Sequence, residues 1–463
     1  MLLLIVVGAW RISGYGRIAV SSIPPRPGLN GFPNALRRKI AMDEFRVRYA
    51  IAPISGLAAL SRLYQANGFI GEAAQCYRGL IRLDPENPRW PHFLGATLSD
   101  YGDMDSALPL LRRAASLAPG YIPARIHLAD ALLKSNQANA AAARYSAVLA
   151  ISPENTYALL GLARCSLEAN DWTSAQEYLK RATAADPTFG VAWALRVTVD
   201  EHFGNQAAAD ADEVQSKNGA NFRDIPDPWT DDLWPDCYSP YLLRTAAAVA
   251  STAGDAKFAL PLLRRAVLIG PSGAWNHRQL AELLRDSKQF PEAFTEMEKC
   301  VALDPGTAEN WVDLMNLSRM MGNVAGAQRA LADGLAHCPD SAALHLERGI
   351  ELKQDGRYSE ALADFQLVQR LQPDEPKNYI ESAVIYIRLG ELDKAAEELN
   401  AGIKVDPVNA ELQCSLALYS INTADRAAAM TWLNRARANS RTPRERLSYL
   451  AWQFEERFGE VPW

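Results

Sequence analysis

Proline recurs at a fixed interval of 34 residues, at Pro85, Pro119, Pro153 and Pro187 and then, after one interruption, at Pro271, Pro305, Pro339, Pro373 and Pro407. A chain of 463 residues would ordinarily divide into about three domains, but a strict internal period overrides that expectation. Counting Pro85 as position 32 places unit starts at residues 54, 88, 122, 156 and 190, and at 240, 274, 308, 342, 376 and 410. Eleven units therefore fill 54–443, with one 16-residue insertion, 224–239, between the fifth and the sixth.

Position 20 is alanine in every unit: Ala73, Ala107, Ala141, Ala175, Ala209, Ala259, Ala293, Ala327, Ala361, Ala395 and Ala429. A position confined to methyl implies two helices in close approach, where a larger side chain would force strain or voids. Position 8 is small in nine units, Val197 and Met315 being the exceptions. Position 15 is glycine in seven units and asparagine in two (Asn136, Asn170), the residues that tolerate a left-handed, helix-ending backbone. Apolar or small residues at 4, 7, 8 and 11, and again at 20, 24 and 27, have helical spacing. Each unit thus reads as helix, short turn, helix, with the proline at 32 ending the second helix. The fifth unit, with Glu213 and Asn221 at expected apolar and proline positions, and the last, with Arg441 for proline, depart from the pattern.

The pattern resembles the tetratricopeptide repeat, whose copies here include Leu94-Gly95 with Ala107, Ala114 and Pro119, and Trp311-x-x-Leu314. The resemblance implies an all-α chain, a right-handed α-solenoid or superhelix of about eleven helix-turn-helix repeats whose neighbouring faces make one continuous core. The domain reading is a 1–33 apolar segment and linker, a 34–53 capping helix, repeat blocks 54–223 and 240–443 around the insertion, and a 444–463 C-terminal capping helix and tail. Leu447, Leu450, Ala451, Phe454 and Phe458 give that last helix its apolar stripe.

The two ends and the insertion break the period. The first ten residues, MLLLIVVGAW, are apolar but far short of the ~20 a bilayer span needs. They read as a hydrophobic tail on the cap, or as the remnant of a longer signal-anchor beginning upstream. The second reading implies a membrane-anchored or periplasmic protein attached through its N-terminus, the first a cytoplasmic one. Eight basic and two acidic residues give 1–53 a net +6, which favours a membrane surface. Ile23-Pro24-Pro25-Arg26-Pro27 reads as a stiff extended spacer. The insertion, DIPDPWTDDLWPDCYS, concentrates Asp224, Asp227, Asp231, Asp232 and Asp236 with Trp229, Trp234 and Tyr238. Three roles are open to it: a brace with both Trp against unit five or six, a partner-contacting lid over the groove, or a hard-cation loop. The last lacks the D-x-[DN]-x-[DN]-G pattern and a turning glycine.

Chemistry is poorly represented. The net charge of −6, without a basic block, lacks the electrostatic footprint of nucleic-acid binding. The six cysteines form no C-x-x-C pair and read as free buried thiols. The six histidines lie in different units, and no H-E-x-x-H, G-x-S-x-G or phosphate-binding glycine loop occurs, so no catalytic residue, cofactor or metal is expected.

Recognition of one or more proteins remains. In the family, positions 2, 5, 9 and 12–13 of the first helix line the concave groove. The resemblance then assigns to it Arg89, His92, Lys134, Tyr157, Arg164, Tyr241, Arg244, Trp275, Arg278, Arg285, Asn316, Arg319, Lys353, Lys377 and Arg388. Such an Arg/aromatic surface suits an extended acidic peptide. The plainer alternative is solvated helix faces with local ion pairs, such as Arg278 with Glu282. The family's clamp for a chaperone C-terminus needs Lys at 5 and Asn at 9, and no unit has the pair: unit one offers Ala58 and Arg62, unit eight Val312 and Asn316. A structural role in an envelope or secretion complex, through the convex face and termini, is the alternative of a different class.

Overall fold

A computed structural model describes residues 13–219 and 225–463; the apolar segment 1–10, Asn221 and Asp224 lie outside them. The described residues form 26 α-helices, one 3-10 turn at Trp234–Asp236, and no strand. None of those helices is long and apolar enough to cross a membrane.

The repeat period becomes helix pairs, for example Pro53–Ala66 with Ile70–Leu83, and Thr156–Glu168 with Trp172–Ala185. The alanine at position 20 is at most 2% exposed in all eleven repeats, as close helix approach demands. Position 15 is left-handed throughout: seven glycines at φ 71–82°, Asn136 and Asn170, and also Lys288 (φ 61°) and Ala424 (φ 60°). The two side chains that do not favour this conformation adopt it because the turn geometry is common to every pair. In nine repeats proline follows the second helix after at most a short turn, as in Ile70–Leu83 before Pro85.

The chain forms two compact units, one ending at Leu283 and the other running Leu284–Trp463. In the first, successive repeats share a core in which Leu111, Ile126, Tyr145 and Val148 are almost wholly buried, followed by Leu159, Leu179 and Phe189. A helix not anticipated from sequence, Gly14–Ser21, lies against the second helix of repeat one: Gln75 Nε2 donates to the Ser21 carbonyl at 3.1 Å. The Pro-rich stretch after it is docked rather than a free spacer, because Ile23 is buried and Arg26 grips both Glu44 oxygens at 2.9 and 2.8 Å. In repeat five Glu213 faces solvent and the neighbouring Asp212 is buried against Arg196 at 2.9 Å. In the second unit the core runs through Phe365, Leu399, Leu412 and Leu433 to Leu450 and Phe454 of the closing helix Arg444–Phe458. All six cysteines are free, five of them buried.

Candidate protein-binding face

Trp229 of the insertion does not sit at the joint of repeats five and six but on Tyr121. The insertion lies across the first-helix faces of repeats one to three, on residues the sequence assigns to the groove. Asp227 begins this contact by N-capping the short helix Pro228–Asp231, through Trp229 N at 3.1 Å. That turn lays the Trp229 ring on Tyr121, stacked at 3.7 Å, with the Arg89 guanidinium 5.6 Å from the indole. Arg89 also approaches Asp232 at 3.8 Å. Arg62 binds the Asp232 carbonyl at 2.6 Å and Asp236 at 3.1 Å, while Lys39 reaches Asp236 at 3.3 Å. Asn67 completes the seat, donating to the Asp236 carbonyl at 2.9 Å and accepting from Tyr238 N at 2.6 Å. On the far side Arg265 of repeat six donates to the Cys237 carbonyl at 2.9 Å. Arg62, Arg89, Lys39 and Arg265 each meet an insertion carboxylate or carbonyl.

Asp227 is the hub. It is 4% exposed. His92 Nε2 lies 2.6 Å from Oδ2 and His127 Nε2 3.6 Å from the same oxygen. Tyr121 donates its hydroxyl to Oδ1, and Thr230 Oγ1 reaches Oδ2 at 3.2 Å. Burial works to raise its carboxyl, but hydrogen bonds from His127, His92 and Tyr121 outweigh that and hold it well below the usual range. Burial lowers His92, partly offset by Asp227. For His127 burial is overcome by Asp227, Asp130 and Asp100, and the ring is raised. Asp231 is pushed up to about 6 by burial and by the charges of Asp227, Asp232 and Asp255.

The other sequence-assigned groove residues divide. Tyr157 is half-buried and packs on Phe189 at 5.2 Å, against the apolar layer of repeats four and five. Lys134 faces Asp100 at 3.9 Å, and Arg164 is exposed. Tyr241 (65% exposed) and Trp275 (53%) stand at position 2 of consecutive repeats. Arg278 lies 5.6 Å from the Trp275 ring and pairs with Glu282 at 2.9 Å; Arg244 donates to Asn276 at 2.6 Å. In the second unit the basic excess is answered locally: Arg285 pairs with Asp286, Arg319 with Glu347 and Glu351, and Lys353 with Glu381. Arg388 meets the Tyr358 hydroxyl at 3.4 Å; Lys377 and Asn316 are exposed.

Sequence reasoning missed Tyr121, His127, Glu347, Glu351 and Glu381. They sit at positions 34, 6 and 10, outside the set taken from the family. A helix face wide enough for positions 2, 5 and 9 also presents 6 and 10 at its edge, which is the signal that would have found four of them.

Tetratricopeptide repeat family models match residues 58–122, 98–147, 132–197, 320–376 and 352–419, together just over half of the chain. The chain belongs to the tetratricopeptide repeat family. Such repeats are protein-binding units. The Hsp70-Hsp90 organizing protein of Triticum aestivum is 31% identical over 102 residues, 22% of this chain and 18% of that protein. The STIP1 homolog of Dictyostelium discoideum is 32% identical over 95 residues, 20% of this chain and 17% of that protein. Each match thus spans less than a fifth of the relative. Among solved structures, yeast Tom70 is similar at 14% identity and a TM-score of 0.38, over 88% of this chain and 95% of that one. The Cut9 and Hcn1 assembly of the APC/C is similar at 13% identity and a TM-score of 0.39, over 89% and 97%.

Proposed function

We propose that this tetratricopeptide protein is a non-catalytic scaffold that binds an extended acidic, tryptophan-bearing protein segment on the first-helix faces of its repeats. The observation that carries the reading is the insertion itself. An Asp-Pro-Trp-Thr-Asp-Asp-Leu-Trp-Pro-Asp segment, 227–236, is seated on that face in repeats one to three by stacking on Tyr121 and by Arg62, Arg89 and Lys39. Repeats six and seven present the same chemistry with the aromatics exposed: Tyr241 and Trp275, flanked by Arg244 and Arg278. Large exposed aromatics beside arginine are the residues that anchor interfaces.

The similarity to chaperone-organizing proteins does not extend this to a chaperone tail. No repeat carries Lys at position 5 with Asn at position 9, and the first-repeat pair is Ala58 with Arg62, the latter already engaged by Asp236.

A fluorescent peptide of sequence 227–236 tests the reading against the full-length chain. Saturable binding is expected, weakened at least about tenfold by Tyr241→Ala/Trp275→Ala at unchanged helicity, since a hot-spot aromatic is worth roughly 2 kcal/mol. Absence of saturable binding, or equal affinity in the double variant, rules the reading out.

A further inference from the structure

Among the described residues one group of three ligand-bearing side chains converges: the Nε2 atoms of His92 and His127 and a carboxylate oxygen of Asp227, all within 4.8 Å of one another. We propose that these three residues form a binding site for a first-row divalent transition metal, with zinc the occupant that suits the ligands best. The inference is independent of which partner the repeats bind.

The donor set selects the metal class. Two imidazole nitrogens and one carboxylate oxygen suit zinc and its first-row neighbours, whereas calcium takes six to eight oxygens and magnesium keeps an octahedron of them. Three protein ligands leave a fourth tetrahedral position for water. The spacing is close to what such an ion needs: His92 Nε2 stands 2.6 Å and His127 Nε2 3.6 Å from Asp227 Oδ2. Bonds of 2.0–2.2 Å around a tetrahedral ion separate the donors by about 3.3 Å, so a shift on the order of 1 Å in one ring admits it. The carboxylate is oriented for this by its other oxygen, Oδ1, which accepts the Tyr121 hydroxyl and Trp229 N at 3.1 Å and leaves Oδ2 turned to the histidines. Outer-shell donors of this kind fix ligand orientation in metal sites.

The ring geometry points the same way. His92 is completely buried and its Nδ1 has no hydrogen-bond partner, so Nε2, 2.6 Å from Asp227 Oδ2, is the nitrogen it offers at this site. Asp231 and Asp232, in the same insertion, add negative charge nearby.

The consequence is mechanical. His92 and Asp227 are 135 residues apart in the chain, so a bound ion would clip the insertion onto repeats two and three and hold that binding face covered.

Chelator-treated full-length protein titrated with zinc chloride and, separately, cobalt chloride is the test. Expected are one equivalent bound, the visible d–d absorption of four-coordinate cobalt, and slower proteolysis within the insertion when zinc is present. Asp227→Asn, which keeps a helix-capping side chain, and His127→Gln should each lose more than the roughly 10–100-fold in affinity that removal of an outer-shell partner costs. Tyr121→Phe, an outer-shell change, should stay within that range. The proposal falls if the wild type binds neither metal stoichiometrically. It falls equally if affinity survives His127→Gln unchanged, or if cobalt shows a thiolate charge-transfer band that places it on a cysteine. Should Asp227→Asn lose helicity, His127→Gln decides alone, because the His127 side chain is 29% exposed and glutamine keeps a polar group of similar size there.

Discussion

Asp227 and His92 together decide how firmly the insertion is held, and a double-mutant cycle measures that directly. Asp227→Ala removes a carboxylate 5% exposed from a ring 0% exposed. It also strips a partner from the Tyr121 hydroxyl and the cap from Pro228–Asp231. Breaking a buried pair by deleting one partner costs about 3–5 kcal/mol, because the survivor is left desolvated and unpaired. His92 would then have neither ring nitrogen bonded, since Nδ1 already lacks a partner. A direct hydrogen bond to a charged group accounts for about 1.5–3 kcal/mol of this, which is the coupling expected between Asp227→Ala and His92→Ala. Global unfolding is a poor readout in a repeat array, whose cooperativity breaks down along the chain. Hydrogen exchange in chelator, at the amides of Trp229 and Tyr238, reports the local opening instead. Those amides donate to Asp227 at 3.1 Å and to Asn67 at 2.6 Å. Protection at Tyr238, whose own acceptor is untouched, should fall about a hundredfold or more in Asp227→Ala. A change below about threefold there, or additive effects of the two substitutions, would show that the insertion is held by its other contacts and that the hub assignment is wrong.

Three further outcomes follow from single positions. Asp231 is raised to about 6, so the folded state favours its protonated form. Asp231→Asn should therefore stabilise the docked insertion by about 1 kcal/mol at pH 7 after solvent screening; in exchange at Tyr238 the advantage should fade as pH falls through 6 and vanish below the ordinary carboxylate value near 4. Ala424 is left-handed at φ 60°, and Ala424→Gly should raise local stability by about 0.5–1 kcal/mol, the relief of strain exceeding the entropy glycine adds, as read from hydrogen exchange at the Asp425 amide, which donates to the Ser420 carbonyl at 2.9 Å. Gly161→Ala should do the reverse: a Cβ there would lie 2.3–2.5 Å from ring carbons of Tyr145, whose hydroxyl is bonded to Asp130. Overpacking costs about 1–3 kcal/mol against the ~1 kcal/mol that alanine gains in a helix, and unchanged hydrogen-exchange protection in that helix pair would mean the tyrosine can move.

The repeat was legible because its constraint is local. Methyl-only positions, helix-ending glycines and prolines recur every 34 residues, and the structure realises them as buried alanines and left-handed turns, extending the turn even to Lys288 and Ala424. The binding face was legible only in part. Arg89 and His92, assigned to the groove from sequence, contact the insertion in which Trp229 and Asp232 were singled out, but nothing in their spacing says that the two sets meet. Sequence separations of 106 between Tyr121 and Asp227, and 135 between His92 and Asp227, carry no periodic signal. Tyr157, at position 2 of repeat four, is half-buried and packs onto Phe189 at the end of the same repeat, a contact its register does not show. The basic excess misled because the acids that answer Arg319 and Lys353 sit in the following repeat, at Glu347, Glu351 and Glu381, and a list made one position class at a time does not see them.

Those ion pairs change which part of the family's surface chemistry can drive recognition here. An acidic ligand arriving at Arg319 or Lys353 has to displace a carboxylate already in place, exchanging one partly hydrated pair for another, and surface pairs of that kind are worth about 0–1 kcal/mol. Charge on that stretch therefore orients a partner and speeds encounter more than it contributes affinity. Tyr241 and Trp275 stay 65% and 53% exposed, Trp275 with the Arg278 guanidinium 5.6 Å from its ring, and burying an aromatic ring contributes several times as much as an exchanged surface ion pair. The insertion uses both on its own seat: Trp229 stacks on Tyr121 with the Arg89 guanidinium 5.6 Å from the indole, while Arg62 and Lys39 hold Asp236 at 3.1 and 3.3 Å. On the proposed reading, recognition is accordingly aromatic first and electrostatic second, so partner affinity should track the Trp275 ring more closely than ionic strength.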